Sequence, residues 1–341
     1  MRIEDFHFEL PPELIAQHPA SHRDSSRLLV LNRADATIQH RSFAELPSFL
    51  GPHDALTLNQ TRVVPARLKG RSAGRNTAVE LLLVRQEGER WLAMGKPARR
   101  LGLGSRVEFG GGQLRAEVVE LAGPGRVWVC FDPPQVRELL PSLGEIPLPP
   151  YIRRPLEGGD QERYQTVYAR VDGAIAAPTA GLHFTPHLLD RIAGQGTAVV
   201  PVLLHVGPGT FAPVRSPDLT QHRIEPEYYH IAEESAAELR RRREAGGRIV
   251  AVGTTVVRTL ETACEASGQP VAGEGWTAKY IYPPYTFRGV DALVTNFHLP
   301  ESTLLLLVAA FAGRELMLDA YRQAVAAGYR FYSYGDAMLI L

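Results

Sequence analysis

Two regimes of apolar spacing divide this chain. Between about residues 61 and 132, short β-rich runs (RVVPARL, AVELLLV, RWLAMG, RVEF, LRAEVVEL, RVWVCF) are separated by GR, EGE, GLGS, FGGG and GPG. Runs of that length with turn residues between them and no helical period within them predict a small all-β barrel or sandwich. A helix VRELLPSL follows, and then a proline-rich passage, EIPLPPYIRRP (145–155), which reads as a return linker.

From residue 181 onward the spacing switches to alternating strands and helices. Thr185 and Pro186 supply an N-cap and a first-turn proline for a helix PHLLDRIAG. A strand TAVVPVLLHV comes next, then a charged helix EESAAELRRRREAG that stops at Gly246 and Gly247. RIVAVG is expected as a strand feeding a helix VVRTLETACEAS that stops at Gly268. Further strands are expected near 277–282 and 290–295, then two helices and a final strand YRFYSYG. This alternation is α/β, and the N-terminal runs LLVLN and ALTLN fit the same sheet. The expected organisation is a large discontinuous α/β domain (1–60 and 150–341) interrupted by a small all-β domain (61–149). No internal repeat is found.

A length of 341 residues suits two domains, because single cores stop growing at roughly 250–300 residues. Apolar residues at 45% and charged residues at 22% fit a soluble globular protein. Lys plus Arg equals Asp plus Glu at 37 each, so a nucleic-acid partner needs a local basic face. Cys130 and Cys264 are the only cysteines. They are too few for a disulfide framework, a four-cysteine zinc site or a three-cysteine iron–sulfur cluster, which also disfavours radical chemistry. The acidic N-terminus MRIEDFHFEL lacks the basic and apolar regions of a secretory signal, so none is expected. LLLLVAAFA (304–312) is far shorter than the ~20 residues that span a bilayer and reads as a buried helix. A soluble, cytoplasmic protein is expected.

Four segments place Gly, Thr and His where expected strands end: AAPTAGLHFT (176–185), LHVGPGTF (204–211), VGTTVVRTLET (252–262) and TNFHLPEST (295–303). In an α/β sheet, such strand ends share one rim, where ligands bind. His183 and His187 are four apart, but Pro186 begins the helix between them, so a metal pair is not expected. His205 and His298 suit general acid–base work or hydrogen bonds to loop carbonyls, and both readings stay open. Gly207 and Gly209, beside Thr210, form a turn that can present N–H groups, although no helix follows as the dinucleotide fingerprint requires. Thr254 or Thr255 opens a helix, a natural seat for a carboxylate or phosphate. Arg258 and Glu261 then share nearly one face, the plain alternative being a capped helix with a surface ion pair. In the first half, Arg62, Arg67, Lys69, Arg71, Lys96, Arg99 and Arg100, with Arg153, Arg154 and Arg163, can form a phosphate-tracking face. The run Arg240 to Arg243 reads as a solvated helix face.

Taken together, NQTRVVPARL, LPPYI, ERYQTVYA, AAPTAGLHFT, LHVGPGTF, VGTTVVRTLE, GWT, TNFHLP and YSYGDAM resemble, in order and over essentially the whole chain, the S-adenosylmethionine:tRNA ribosyltransferase-isomerase family of queuosine biosynthesis. The resemblance implies an α/β large domain interrupted by a small β-barrel. It also implies transfer of the ribosyl portion of S-adenosylmethionine onto 7-aminomethyl-7-deazaguanine at the tRNA wobble position, giving epoxyqueuosine with release of adenine and methionine. On this reading S-adenosylmethionine is a consumed cosubstrate, no cofactor or metal is needed, the partner is tRNA, and a monomer is expected.

Carried onto this sequence, the resemblance makes His183, His205 and His298 the proton carriers, with Glu227 a carboxylate for the sulfonium or the methionine ammonium. Thr179, Gly181, Phe184, Gly207, Gly209, Thr210, Thr254, Thr255 and Asn296 would shape the cosubstrate pocket, with Arg258 available for a carboxylate. Asn59, Arg62, Arg67 and Tyr164 would meet the anticodon, with Lys69, Lys96 and Arg99 on the phosphate-tracking face. Two positions depart from the family pattern: Glu225 stands where a His is usual, and Pro208 where a Leu is usual. The rival readings are an S-adenosylmethionine-dependent RNA methyltransferase, a non-catalytic tRNA-binding module and a paralogue that binds without turnover. The first needs a glycine-rich strand-to-helix turn near the N-terminus, which the sequence lacks. The second needs no clustered histidines, which the sequence has.

Overall fold

The computed structural model describes residues 1–74, 77–211, 218–264 and 267–341, with the side chains of Thr210 and Phe211 outside that description. The chain divides into two compact units, one of Met1–Arg62, Pro149–Val171 and Ala177–Leu341, the other of Val63–Leu148 and Asp172–Ala176.

In the smaller unit the short runs form antiparallel strands, and the sheet closes on itself. Arg67–Ser72 pairs with Ala78–Glu87 on one side and with Arg106–Phe109 on the other, the circuit running through Arg90–Lys96, Arg126–Asp132 and Leu114–Leu121. The fold is thus a barrel and not a sandwich. Buried and half-buried residues alternate along Val79–Leu83, the period-2 pattern of a strand with one face inward. Leu68, Leu81, Val107, Phe109 and Val129 fill the interior.

The larger unit carries a nine-stranded mixed sheet. Its strands are labelled here in chain order: β1 (Arg27–Asn32), β2 (Thr37–Ser42), β3 (Ala55–Asn59), β4 (Ala198–Leu204), β5 (Glu227–Ile231), β6 (Ile249–Val252), β7 (Gly273–Thr277), β8 (Ala292–Asn296) and β9 (Ala337–Ile340). The spatial order is β7-β5-β4-β3-β6-β8-β9-β1-β2. The β4-β3-β6-β8 block is parallel. Every residue of β3, β6, β8 and β9 is buried, as strands covered on both faces require. Alternate residues feed two cores. Leu56, Val250, Val252 and Val294 point to one with Phe43, Phe184 and Ile192, while Ala55, Ile249, Ala251 and Leu293 point to the other with Leu260, Leu306 and Met317.

The longer helices of this unit are α1 (Pro186–Gly194), α2 (Glu233–Glu244), α3 (Thr254–Ala263), α4 (Thr303–Ala312) and α5 (Arg314–Ala326). Thr185 caps α1 by accepting from Leu188 N at 3.1 Å, as its position before Pro186 predicts. The LLLLVAAFA run is α4, buried almost throughout. Among the described residues, no helix is long and apolar enough to cross a membrane.

Two strand expectations need correction. YRFYSYG is not a strand, because Tyr329, Phe331 and Tyr334 bury their rings from a looped backbone and Tyr332 takes a positive φ of 74°. The closing strand is instead the apolar run Ala337–Ile340. The strand placed near 277–282 lies earlier, at Gly273–Thr277, antiparallel to β5.

Candidate active site

The carboxyl ends of β4, β3, β6 and β8 lie at one rim of the sheet, and each delivers a polar group there: His205, Asn59, Thr254 and Asn296. Asn59 is wholly buried and joins three elements. Its Oδ1 accepts from Leu204 N (3.0 Å) and Thr61 N (3.2 Å), and its Nδ2 donates to Leu204 O (2.9 Å) and Thr255 Oγ1 (3.2 Å). A residue expected to meet the anticodon therefore pins the end of β4 to the start of α3, leaving no surface for RNA.

Gly253 turns the chain from β6 into α3 at φ 91°, a conformation that favours glycine. The α3 N-terminus, with Thr254 and Thr255 both buried, then borders a cleft together with Thr179, Thr295, Asn296 and His298. The cleft encloses about 360 Å³ including solvent at its mouth.

The three histidines differ. His298 donates or accepts through Nε2 with Thr295 Oγ1 at 2.9 Å, and burial lowers its pKa to about 3. His183 sits behind the cleft, its Nδ1 2.8 Å from Ser26 Oγ and its Nε2 3.1 Å from Asn296 Nδ2, and burial lowers its pKa to about 4. Both rings are held neutral and weakly basic. His205 is half-buried just beyond β4, with Nδ1 2.8 Å from Thr61 Oγ1 and its ring stacked on Tyr228, which in turn meets the exposed Trp276 edge-on.

Glu227 and Arg258 form a buried ion pair, 3% and 4% exposed. Glu227 Oε1 also accepts from Gly207 N at 2.7 Å, and Arg258 Nε donates to Lys279 O at 2.9 Å. The carboxylate for Arg258 is thus supplied by the chain itself, and the N–H presented by the glycine turn is taken by Glu227. Arg258 Nη2 has no partner among the described residues, and Arg258 lines a small cavity with Thr303 and Leu304. Glu261, which the plain alternative reading puts in a surface pair, is buried and accepts from Gly289 N (2.7 Å), Arg288 N and Tyr285 OH (3.1 Å each). It anchors the 285–289 loop to α3.

Other expected residues fall outside the cleft lining. Gly181 is a packing residue, because a Cβ there would lie 1.9 Å from Tyr168 OH. Phe184 is fully buried against Phe43. The backbone of Gly209 approaches Glu225, which places that departure beside the turn. The Thr210 side chain lies outside the described residues. Tyr164 is fully buried with its ring edge-on to Tyr334, so it presents no face to a base. Arg62 is exposed and donates to Ala169 O at 2.8 Å. In the barrel, Lys69 pairs with Glu145 at 2.7 Å, Arg67 with Glu80 at 3.4 Å, and Lys96 and Arg99 are exposed. Among the described residues no group of three metal-ligating side chains occurs. Ser26 and Tyr332 complete the His183 and Asn296 contacts and stand outside the expected site residues: Ser26 carries no signal in its string, and Tyr332, the first residue of YSYGDAM, acts through its backbone carbonyl.

The sequence model of a family described as "Queuosine biosynthesis protein" matches residues 3–340. The chain belongs to this family. Curated relatives named S-adenosylmethionine:tRNA ribosyltransferase-isomerase occur in Moorella thermoacetica and Symbiobacterium thermophilum. Each is 53% identical to this chain, with all of both chains covered. The crystal structure of an S-adenosylmethionine tRNA ribosyltransferase from Thermotoga maritima is 39% identical, with a TM-score of 0.58 over 99% of this chain and 100% of that one. The family assignment and the barrel-plus-mixed-sheet fold both agree with the resemblance read from the motifs.

Proposed function

We propose that this chain is an S-adenosylmethionine:tRNA ribosyltransferase-isomerase acting on 7-aminomethyl-7-deazaguanine in the anticodon. The observation that carries the reading is 53% identity over the full length of relatives bearing that name. The methyltransferase and binding-module readings have no comparable support.

The sulfonium acidifies C5′ of the cosubstrate, so a base can take a proton there. The bond to adenine then breaks, the aminomethyl nitrogen bonds to the opened ribosyl unit, and the C–S bond breaks as the epoxide closes, releasing methionine. Of the three histidines, His205 is half-buried at the end of β4 and takes the role of base, whereas His183 and His298 are fully enclosed and weakly basic. Thr254, Thr255, Asn296 and His298 line the cosubstrate cleft, and the opening turn of α3 suits a carboxylate. The Glu227–Arg258 pair fixes the Gly207 turn beside it. All electrons stay within the substrates, so S-adenosylmethionine is consumed as a ribosyl donor and the reaction requires no redox cofactor. The exposed barrel cations suit tRNA phosphates. The enzyme acts as a cytoplasmic monomer.

The test is to incubate the chain with labelled S-adenosylmethionine and tRNA carrying the 7-aminomethyl base. Equal amounts of free adenine, methionine and ribosylated nucleoside are expected. S-adenosylhomocysteine as product would instead establish methyl transfer.

A further inference from the structure

Asn296 is the last residue of β8, and its amide orientation is dictated by a backbone carbonyl. Nδ2 lies 3.2 Å from Tyr332 O, which can only accept a hydrogen bond, so the nitrogen and not the oxygen must face it. The same Nδ2 lies 3.1 Å from His183 Nε2. That ring nitrogen must therefore offer its lone pair, and the ring proton resides on Nδ1, donated to Ser26 Oγ at 2.8 Å. The Ser26 hydroxyl hydrogen is left for Arg23 O, 3.5 Å away. With both Nδ2 hydrogens used behind the cleft, Asn296 Oδ1 is buried with no partner among the described residues. The residue borders the cleft beside Thr254, Thr255 and His298. A buried acceptor without a donor is costly unless a ligand supplies one.

We propose that Asn296 Oδ1 is the acceptor for an N–H donor of S-adenosylmethionine, and that His183 is a positioning residue that fixes this amide. This rests on the functional reading above. Protonation of His183 would set Nε2–H against Nδ2–H, and its depressed pKa agrees with a ring that stays neutral. Two groups of the cosubstrate can supply the N–H, the adenine exocyclic amine and the methionyl ammonium.

The first test is the ring tautomer, read by ¹⁵N NMR on the full chain with labelled histidine at pH 7, the His183 signals being assigned by their loss in His183→Gln. A neutral Nδ1–H form is expected, and an Nε2–H or protonated ring would overturn the proposal. The second test is calorimetric binding of S-adenosylmethionine. Asn296→Ala should weaken it roughly tenfold, as loss of one hydrogen bond does. An equal loss toward 5′-methylthioadenosine, which lacks the amino acid, places the donor on adenine, and a loss confined to S-adenosylmethionine places it on the ammonium. Unchanged affinity for both overturns the proposal.

The third test compares His183→Ala with His183→Gln, whose amide oxygen can accept from Asn296. Glutamine should restore most of the affinity and turnover and leave the pH–rate profile unmoved. If instead both variants lose about 10²–10⁴-fold in kcat with KM unchanged, His183 is the base and the proposal fails. A wild-type chain that binds S-adenosylmethionine without releasing adenine would sink the functional reading alone, since tautomer and affinity are measured without turnover.

Discussion

At the rim of the large sheet, Glu227 and Arg258 meet with side chains 3% and 4% exposed, whereas in the barrel Arg106 and Glu117 pair at 70% and 46% exposure. The same chemistry has different consequences in the two places. At the rim, burial makes backbone groups depend on named partners, Gly207 N on Glu227, Leu204 N on Asn59 and Gly289 N on Glu261, and leaves Asn296 Oδ1 without one among the described residues. In the barrel, water replaces a lost partner at little cost. The rim is thus held rigid by matched buried polarity. The barrel pairs are solvated and can exchange partners at little cost.

The sharpest way to break this contrast is to remove one half of the buried pair. Glu227→Ala strands the Arg258 guanidinium and the Gly207 amide, and should cost about 3–5 kcal/mol in urea unfolding. Replacing both partners together, Glu227→Leu with Arg258→Met, should recover much of that loss, because no charge is left buried. If the single variant is no less stable than wild type, the pair is not isolated from solvent and the contrast fails.

Acid should separate the two regions next. His183 and His298 have pKa values lowered by burial to about 4 and about 3. An unfolded histidine titrates near 6.5, so between that pH and the folded value the unfolded chain binds more protons. The stabilisation is complete above about pH 6.5 and is lost as pH falls toward 4 for His183 and toward 3 for His298. The loss should be on the order of 2–3 kcal/mol per histidine by pH 4, read from urea titrations at stepped pH. His298→Gln should flatten the profile. An unchanged slope in that variant would mean that His298 is not held neutral by the fold.

Much of this architecture is legible in the sequence, for identifiable reasons. The barrel runs announce themselves by the turn residues between short β-rich segments, and β3, β6 and β8 by short, largely apolar runs, both of them local properties. Thr254, Thr255, Asn296 and His298 could be placed at one rim because successive parallel strands end there by topology. What could not be read is which side of the rim a residue faces. Asn59 and Tyr164 look like surface polar and aromatic residues in their strings, but their burial comes from segments more than a hundred residues away. The Glu227–Arg258 pair is likewise invisible, since both charges look solvent-bound until β5 and α3 are packed. The YRFYSYG run misleads because its apolar rings are buried from a loop with positive φ at Tyr332, where a strand's alternation counts for nothing.

The smallest expected stability effects belong to the barrel, and there the informative readout is binding. Lys69→Ala, Lys96→Ala and Arg99→Ala should each change unfolding free energy by less than about 0.5 kcal/mol, because exposed charges are well solvated when unpaired. If these side chains track tRNA phosphates, each substitution should weaken tRNA binding evenly across tRNA sequences. It should also lower the slope of log affinity against log salt by roughly 0.7–0.9 per contact removed. Lys69 has the added property of pairing with Glu145, so its loss frees a carboxylate that repels phosphate. Lys69→Ala should therefore weaken binding more than Lys96→Ala, and Glu145→Gln should strengthen it. A triple variant with an unaltered salt slope would remove the barrel from the tRNA-binding surface and leave recognition to the large unit, where Arg62 is one exposed cation, in the short strand that follows Asn59.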